Sequence, residues 1–245
     1  MAERSSGDVA APGFLTSPSP ALVQALAAVR KRIDDACRRA GRDPESARLV
    51  AVSKTFPAQR VQELLACGHR CFGENRVQEA LAKIETVGPG PVWHLIGKLQ
   101  RNKARHAVGV FDLIHGVDEI NLATELDRRA AASGRSQAIL VQLNLSGETT
   151  KSGVAEDVLW PLFDAIAGLK NLDLRGLMTI PPPVERAEDA RRWFSRLREL
   201  RDEASRRTGL GLPELSMGMT DDFEVAVEEG ATLVRVGRAI FGERS

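Results

Sequence analysis

Leu49-Val50-Ala51-Val52-Ser53-Lys54-Thr55 is a short apolar run that stops abruptly at an amine. Such a run reads as a buried strand, and Lys54 stands where that strand ends. Working outward, further β-like runs recur at residues 70–73, 92–96, 113–117, 139–143, 172–177, 214–217 and 232–236, giving eight with the first at 49–53. Most neighbours are separated by a helix-like stretch. The clearest carries Trp193, Leu197, Leu200 and Ala204 on one stripe, with Arg and Glu facing away. The alternation predicts a parallel sheet. Eight β-α units in 245 residues predict one α/β domain, a closed (β/α)8 TIM barrel, with a doubly wound open sheet as the alternative.

Ahead of the first run, Ser19 and Pro20 supply a cap and a first-turn proline for an additional N-terminal helix. Its apolar positions are Leu22, Leu26, Val29, Ile33 and Cys37, and Gly41 stops it. Residues 1–20 hold Glu3, Asp8 and scattered Ser and Pro, without the apolar stretch of a signal peptide or membrane anchor. Residues 1–18 are therefore expected to form a disordered tail, and residues 19–245 a single barrel with no internal domain boundary. The 34 basic and 33 acidic side chains nearly cancel, so any site for a phosphate must be local rather than part of a global field. Cys37, Cys67 and Cys71 cannot all pair within one chain, which predicts a reducing, cytoplasmic setting. Tyr is absent, and Lys is scarce at seven residues, so each Lys in an apolar setting asks for a reason.

In a parallel barrel the chemistry comes from the C-terminal ends of the strands. Desolvation at the end of the first strand would lower the pKa of Lys54 and make a neutral amine available for a Schiff base, against the alternative of a strand-end lysine reaching into solvent. The loops after strands seven and eight are the recurrent phosphate site of this architecture. Here they offer Ser216, in Leu215-Ser216-Met217-Gly218-Met219, and the backbone of Gly237 and Arg238, with Thr220-Asp221-Asp222 expected to cap the intervening helix. Taken singly, Gly218 and Gly237 also read as turn glycines. Arg235 lies two residues before Gly237, so alternation points it inward. It could donate to the ring nitrogen of a pyridine cofactor and weaken that ring as an electron sink, or pair with a barrel carboxylate such as Glu74.

Ala51-Val52-Ser53-Lys54-Thr55, Phe72-Gly73-Glu74-Asn75, Trp93-His94-Leu95-Ile96-Gly97, Leu99-Gln100-Arg101-Asn102-Lys103, Arg175-Gly176-Leu177-Met178, the Leu215–Met219 motif and Val234-Arg235-Val236-Gly237 occur here in one order. Together, over roughly residues 20–245, they resemble the pyridoxal phosphate homeostasis family. The resemblance implies a barrel similar to the N-terminal domain of alanine racemase, holding pyridoxal 5′-phosphate (PLP) as an aldimine on Lys54. It also implies that Ser216, Gly237 and the backbone of Arg238 hold the phosphate, that Arg235 faces the pyridine nitrogen, and that Asn75 and Met217 line the pocket. The chain departs at Arg238, where family members often carry Thr or Ser.

Racemisation needs a base on each face of the substrate α-carbon. The racemases that the resemblance evokes use the cofactor lysine and a Tyr from a further β-domain. This chain has no Tyr and is expected to end after its eighth unit, leaving His94, His115 or another chain to improvise the second base. The expectation is a carrier and regulator in PLP homeostasis with little or no turnover, acting as a monomer and exchanging cofactor with PLP-requiring apoenzymes and amino acids. A weak amino-acid racemase or decarboxylase is the first alternative, and a Schiff-base aldolase without PLP the second. No metal is expected from Cys67-Gly68-His69-Arg70-Cys71, whose spacing matches no common zinc pattern. Neither nucleic acid nor membrane is expected as a partner. The segment Arg101-Asn102-Lys103-Ala104-Arg105 lacks stacking aromatics and reads as a solvated helix face or a partner contact. Lys151-Ser152-Gly153 reads as a surface loop, with an anion contact as the alternative.

Overall fold

The computed structural model of the protein describes residues 17–148 and 152–243. All but two residues of the expected disordered tail, and Lys151, lie outside the described residues. The chain begins with α1 (Pro20–Arg39) and then alternates through β1 (Arg48–Val52), α2 (Ala58–Ala66), β2 (Cys71–Glu74), α3 (Val77–Val87), β3 (Val92–Leu95), α4 (Ala104–Ala107), β4 (Leu113–Val117) and α5 (Ile120–Ala132). The second half runs β5 (Gln137–Leu143), α6 (Leu159–Ala167), β6 (Leu172–Thr179), α7 (Arg191–Thr208), β7 (Glu214–Ser216), α8 (Phe223–Glu228), β8 (Leu233–Val236) and α9 (Arg238–Phe241). The strands pair in parallel in sequence order, and β8 returns to β1 with Val50 opposite Arg235, so the sheet closes as a barrel. The open-sheet alternative is excluded by that closure.

Alternation along each strand divides the side chains between two layers. Outward residues such as Leu49, Ala51 and Phe72 join the helices in one large core. Inward residues Val50, Val52, Ile96, Leu113, Leu140, Met178 and Leu233 form a separate apolar plug inside the barrel. This partition decides where the strand ends aim. On β1 the inner face runs Val50, Val52 and then Lys54, whereas Ser53 faces the helices.

Ser19 caps α1 as expected, its hydroxyl accepting from the Leu22 amide at 3.3 Å, and the stripe Leu22, Leu26, Val29, Ile33 and Cys37 is buried. The helix packs along α8 and α9, where the Arg32 guanidinium makes two bonds to Glu224 at 3.2 and 2.8 Å and lies 4.5 Å over the Phe223 ring. The stripe expected for α7 needs one correction. Phe194, not Trp193, is buried with Leu197, Leu200 and Ala204. Trp193 keeps the closer helical spacing to the other three and is half-buried against the same core, while Phe194 widens the buried face. The Trp193 ring lies 4.0 Å beneath the Arg192 guanidinium. Among the described residues no helix is long and apolar enough to cross a membrane.

Candidate functional site

The inner faces of β1, β2 and β8 continue beyond the last strand hydrogen bonds as Val52 to Lys54, Gly73 to Asn75 and Arg235 to Gly237. These residues come together at the C-terminal mouth of the barrel, where a cavity of about 500 Å3 is lined by Lys54, Asn75, Arg235, Gly237 and Arg238. That volume suits a small organic ligand, for which roughly 300–1,000 Å3 is usual. Five of the seven residues expected from sequence thus share one cavity. Lys54 is half-buried there. Gly237 permits a close approach between strand ends, since a Cβ in its place would lie 3.1 Å from the Val52 carbonyl oxygen.

Ser216 and Met217 differ from expectation. Both are fully buried and neither lines the cavity. Ser216 pairs in register with Met178, a residue of the inner plug, so its hydroxyl enters the barrel interior rather than the rim. There it accepts from Arg235 Nη1 at 2.6 Å and meets His115 Nδ1 at 2.9 Å, and His115 Nε2 meets His94 Nδ1 at 3.1 Å. A guanidinium can only donate, so the Ser216 proton is assigned to His115 Nδ1, and the His115 Nε2 proton to His94. Burial lowers His94 to about 4 and His115 well below its ordinary value, which leaves both rings uncharged at neutral pH. Neither ring lines the cavity.

Arg235 anchors this network. It is 4 % exposed and donates Nη2 to the Thr179 carbonyl at 2.9 Å while one edge meets the cavity. Burial lowers its guanidinium to about 10, with Asp222 opposing the shift, so it remains a cation at neutral pH. The alternative ion pair with Glu74 is not formed. Glu74 faces the helices and takes Lys83 Nζ at 2.7 Å, because it occupies the outward position between inward Gly73 and Asn75.

Sequence reading passed over Thr220, Asp221 and Lys98, which also line the cavity. In the sequence the first two read as helix-capping residues. Asp222 is indeed the residue before α8, yet its carboxylate makes no cap bond and instead accepts from the Met219 amide at 2.6 Å. That contact tightens the loop after β7, where Gly218 takes φ 89°, and leaves Thr220 and Asp221 on the cavity side. Asp221 holds the Arg238 guanidinium through two contacts of 2.5 Å. The charge gained at position 238 is therefore directed across the rim to a carboxylate. A second cleft shares Asn75 and Lys98 with the cavity and runs out past Arg76 and Lys103, so the basic segment of 101–105 borders the mouth.

The Cys67–Cys71 segment is organised around His69, whose Nε2 lies 2.7 Å from the Cys71 carbonyl and whose Nδ1 lies 3.4 Å from Arg30. Among the described residues no three His, Cys, Asp or Glu side chains are grouped so as to hold a metal ion.

Residues 25–245 match the family model described as alanine racemase, N-terminal domain. The chain is 48 % identical over 220 residues to the pyridoxal phosphate homeostasis protein of Aquifex aeolicus, covering 89 % of this chain and 96 % of that one. It is 45 % identical over 224 residues to the protein of the same name from Pseudomonas aeruginosa, with 91 % and 96 % covered. Among solved structures it resembles PipY of Synechococcus elongatus, determined with PLP bound, at a TM-score of 0.80 and 41 % identity, covering 90 % of this chain and all of that one. The chain belongs to the pyridoxal phosphate homeostasis protein family, built on the fold of the alanine racemase N-terminal domain.

Proposed function

We propose that this protein binds PLP in the 500 Å3 cavity and serves homeostasis of that cofactor as a carrier. The observation that supports this most is the convergence of the inner faces of β1 and β8. One cavity thereby receives an amine from Lys54, a buried cation from Arg235 and close-approach backbone at Gly237. PLP, when bound, supplies an aldehyde that condenses with amines and a pyridine ring that withdraws electrons. Lys54 is the proposed attachment point: its Nζ would be the amine that meets that aldehyde.

Arg235 is proposed to donate to the pyridine nitrogen. A guanidinium that stays protonated does not transfer a proton there, which keeps the ring a weak electron sink and favours holding over turnover. The backbone of Gly237 and Arg238 is proposed for the phosphate, with Asn75 and Thr220 in the wall. In this reading Ser216 acts from behind, fixing the Arg235 guanidinium, and Met217 packs beneath the β7 exit. His94 and His115 lend no support to a two-base reaction: burial makes both rings weak bases, and they bond each other inside the barrel, off the cavity wall. Exchange with apoenzymes and amino acids, a monomeric state and a cytoplasmic location belong to the same proposal. The free thiols of Cys37, Cys67 and Cys71 accord with a reducing compartment.

Titration of the ligand-free protein with PLP, followed by visible absorbance, tests the reading. Wild type is expected to develop a Schiff-base band that Lys54→Ala lacks. Incubating the loaded protein with single enantiomers of amino acids tests the carrier role, and robust racemisation would contradict it.

A further inference from the structure

Behind the β1 exit, on the helix side of the sheet, lies a buried ionic cluster that the proposed chemistry does not touch. Lys83 of α3 is only 7 % exposed, and its three ammonium protons match three acceptors: the Ser53 carbonyl at 2.6 Å, Glu74 Oε1 at 2.7 Å and Glu79 Oε1 at 2.9 Å. Ser53 Oγ donates to the same Glu74 oxygen at 2.6 Å, while Glu74 Oε2 is buried with no partner. Glu79 Oε1 also accepts the Thr55 amide at 2.5 Å. The residues on both sides of Lys54 are therefore tied to α3.

The tie holds an unfavourable backbone. Phe56 donates its amide to the Ser53 carbonyl at 3.1 Å, closing a turn over Lys54 and Thr55. Thr55 has φ 70°, and among the described residues it is the one non-glycine residue in the left-handed region. Turns that need a positive φ at their third position usually place Gly or Asn there, and a β-branched residue is strained in that state. Strain of this kind persists only where surrounding structure fixes it.

We propose that Glu79 and Lys83 are positioning residues for Lys54: from behind the sheet they fix the two peptide units flanking it and so aim its side chain into the cavity. The inference rests on the reading of Lys54 given above. Lys83 holds the Ser53 carbonyl, Glu79 holds the Thr55 amide, and the strained turn between them presents the next inward side chain of β1 to the ligand. The sequence carries the arrangement as Glu79 and Lys83, four residues apart, with Lys83 on the otherwise apolar stripe Val77, Ala80 and Val87.

The test uses the full-length ligand-free protein. Glu79 is half-exposed, so Glu79→Ala leaves the core packing in place, as thermal unfolding will report. The Thr55 amide is expected to be protected from hydrogen exchange in wild type and to lose that protection in this variant. The rate at which the Schiff-base band appears on adding PLP is expected to fall at least about fivefold. Glu79→Gln, which keeps an acceptor for Thr55, is expected to recover most of the rate. Thr55→Gly combined with Glu79→Ala is expected to recover it too, because glycine takes φ 70° unaided. A Glu79→Ala variant with wild-type rate, or a loss that Thr55→Gly does not repair, overturns the positioning role. A wild-type protein that forms no band at all overturns the reading of Lys54 and the inference with it.

Discussion

Lys54 and Arg235 owe their places to a rule that acts one residue at a time: on a strand, every second side chain faces the same way. Once Val50 and Val52 lie in the inner plug, Lys54 points to the barrel mouth, and Val50 opposite Arg235 turns the guanidinium inward as well. Both were legible in the sequence for that reason. Ser216 was not, because its direction depends on the register of a three-residue strand, which no local pattern specifies. Lys83 was legible only as a scarce lysine on an apolar stripe, and its acceptors come from three separate segments. The Arg235 network yields a direct prediction. Arg235→Met should strip the Thr179 carbonyl and the Ser216 hydroxyl of a buried donor and destabilise the fold by about 1–3 kcal/mol, read from the urea midpoint. The same variant should shift the visible maximum of the PLP-loaded protein, since the ring nitrogen loses its proposed partner; an unchanged spectrum would remove Arg235 from that role.

Elements were more legible than the loops between them. The apolar run at 113–117 coincides with β4, and α1 starts and stops at the cap and the glycine that its sequence advertises. The loop after β7 escaped, because Asp222 bonds backward to Met219 instead of forward into α8, and this reversal brings Thr220 and Asp221 to the cavity. Gly218→Ala should cost about 1–3 kcal/mol or more: φ 89° is strained for alanine, and the new Cβ would sit 2.5 Å from the Ala226 Cβ. An unchanged urea midpoint would mean that this turn relaxes freely. On α7 the degree of burial separates two neighbours, Phe194 fully enclosed and Trp193 half-buried. Phe194→Ala should destabilise by about 3–5 kcal/mol, and Trp193→Ala by clearly less, as equilibrium unfolding of the two variants will report.

At the scale of the whole molecule, buried imidazoles couple folding to pH. Burial lowers His69 and His94 to about 4 from an ordinary 6.5. Between those limits the unfolded chain takes up protons that the folded barrel refuses, so the contribution of these two rings is full above about pH 6.5, falls as pH drops and levels off near 4, while the more deeply buried His115 adds a loss in the same direction. Each of the two contributes on the order of 3 kcal/mol to that loss. Urea midpoints across this range should fall steeply, and His94→Gln should make the slope shallower; a flat wild-type profile would mean the rings titrate normally. Seven lysines of one chain compete for a single aldehyde, and two of them, Lys54 and Lys98, line the cavity. The most direct measurement is therefore to load the intact protein with PLP, reduce with borohydride, digest and locate the added mass. The account predicts the pyridoxyl group on the peptide containing Lys54 and its disappearance in Lys54→Ala. Modification of another lysine in wild type, with Lys54 unmodified, would contradict it.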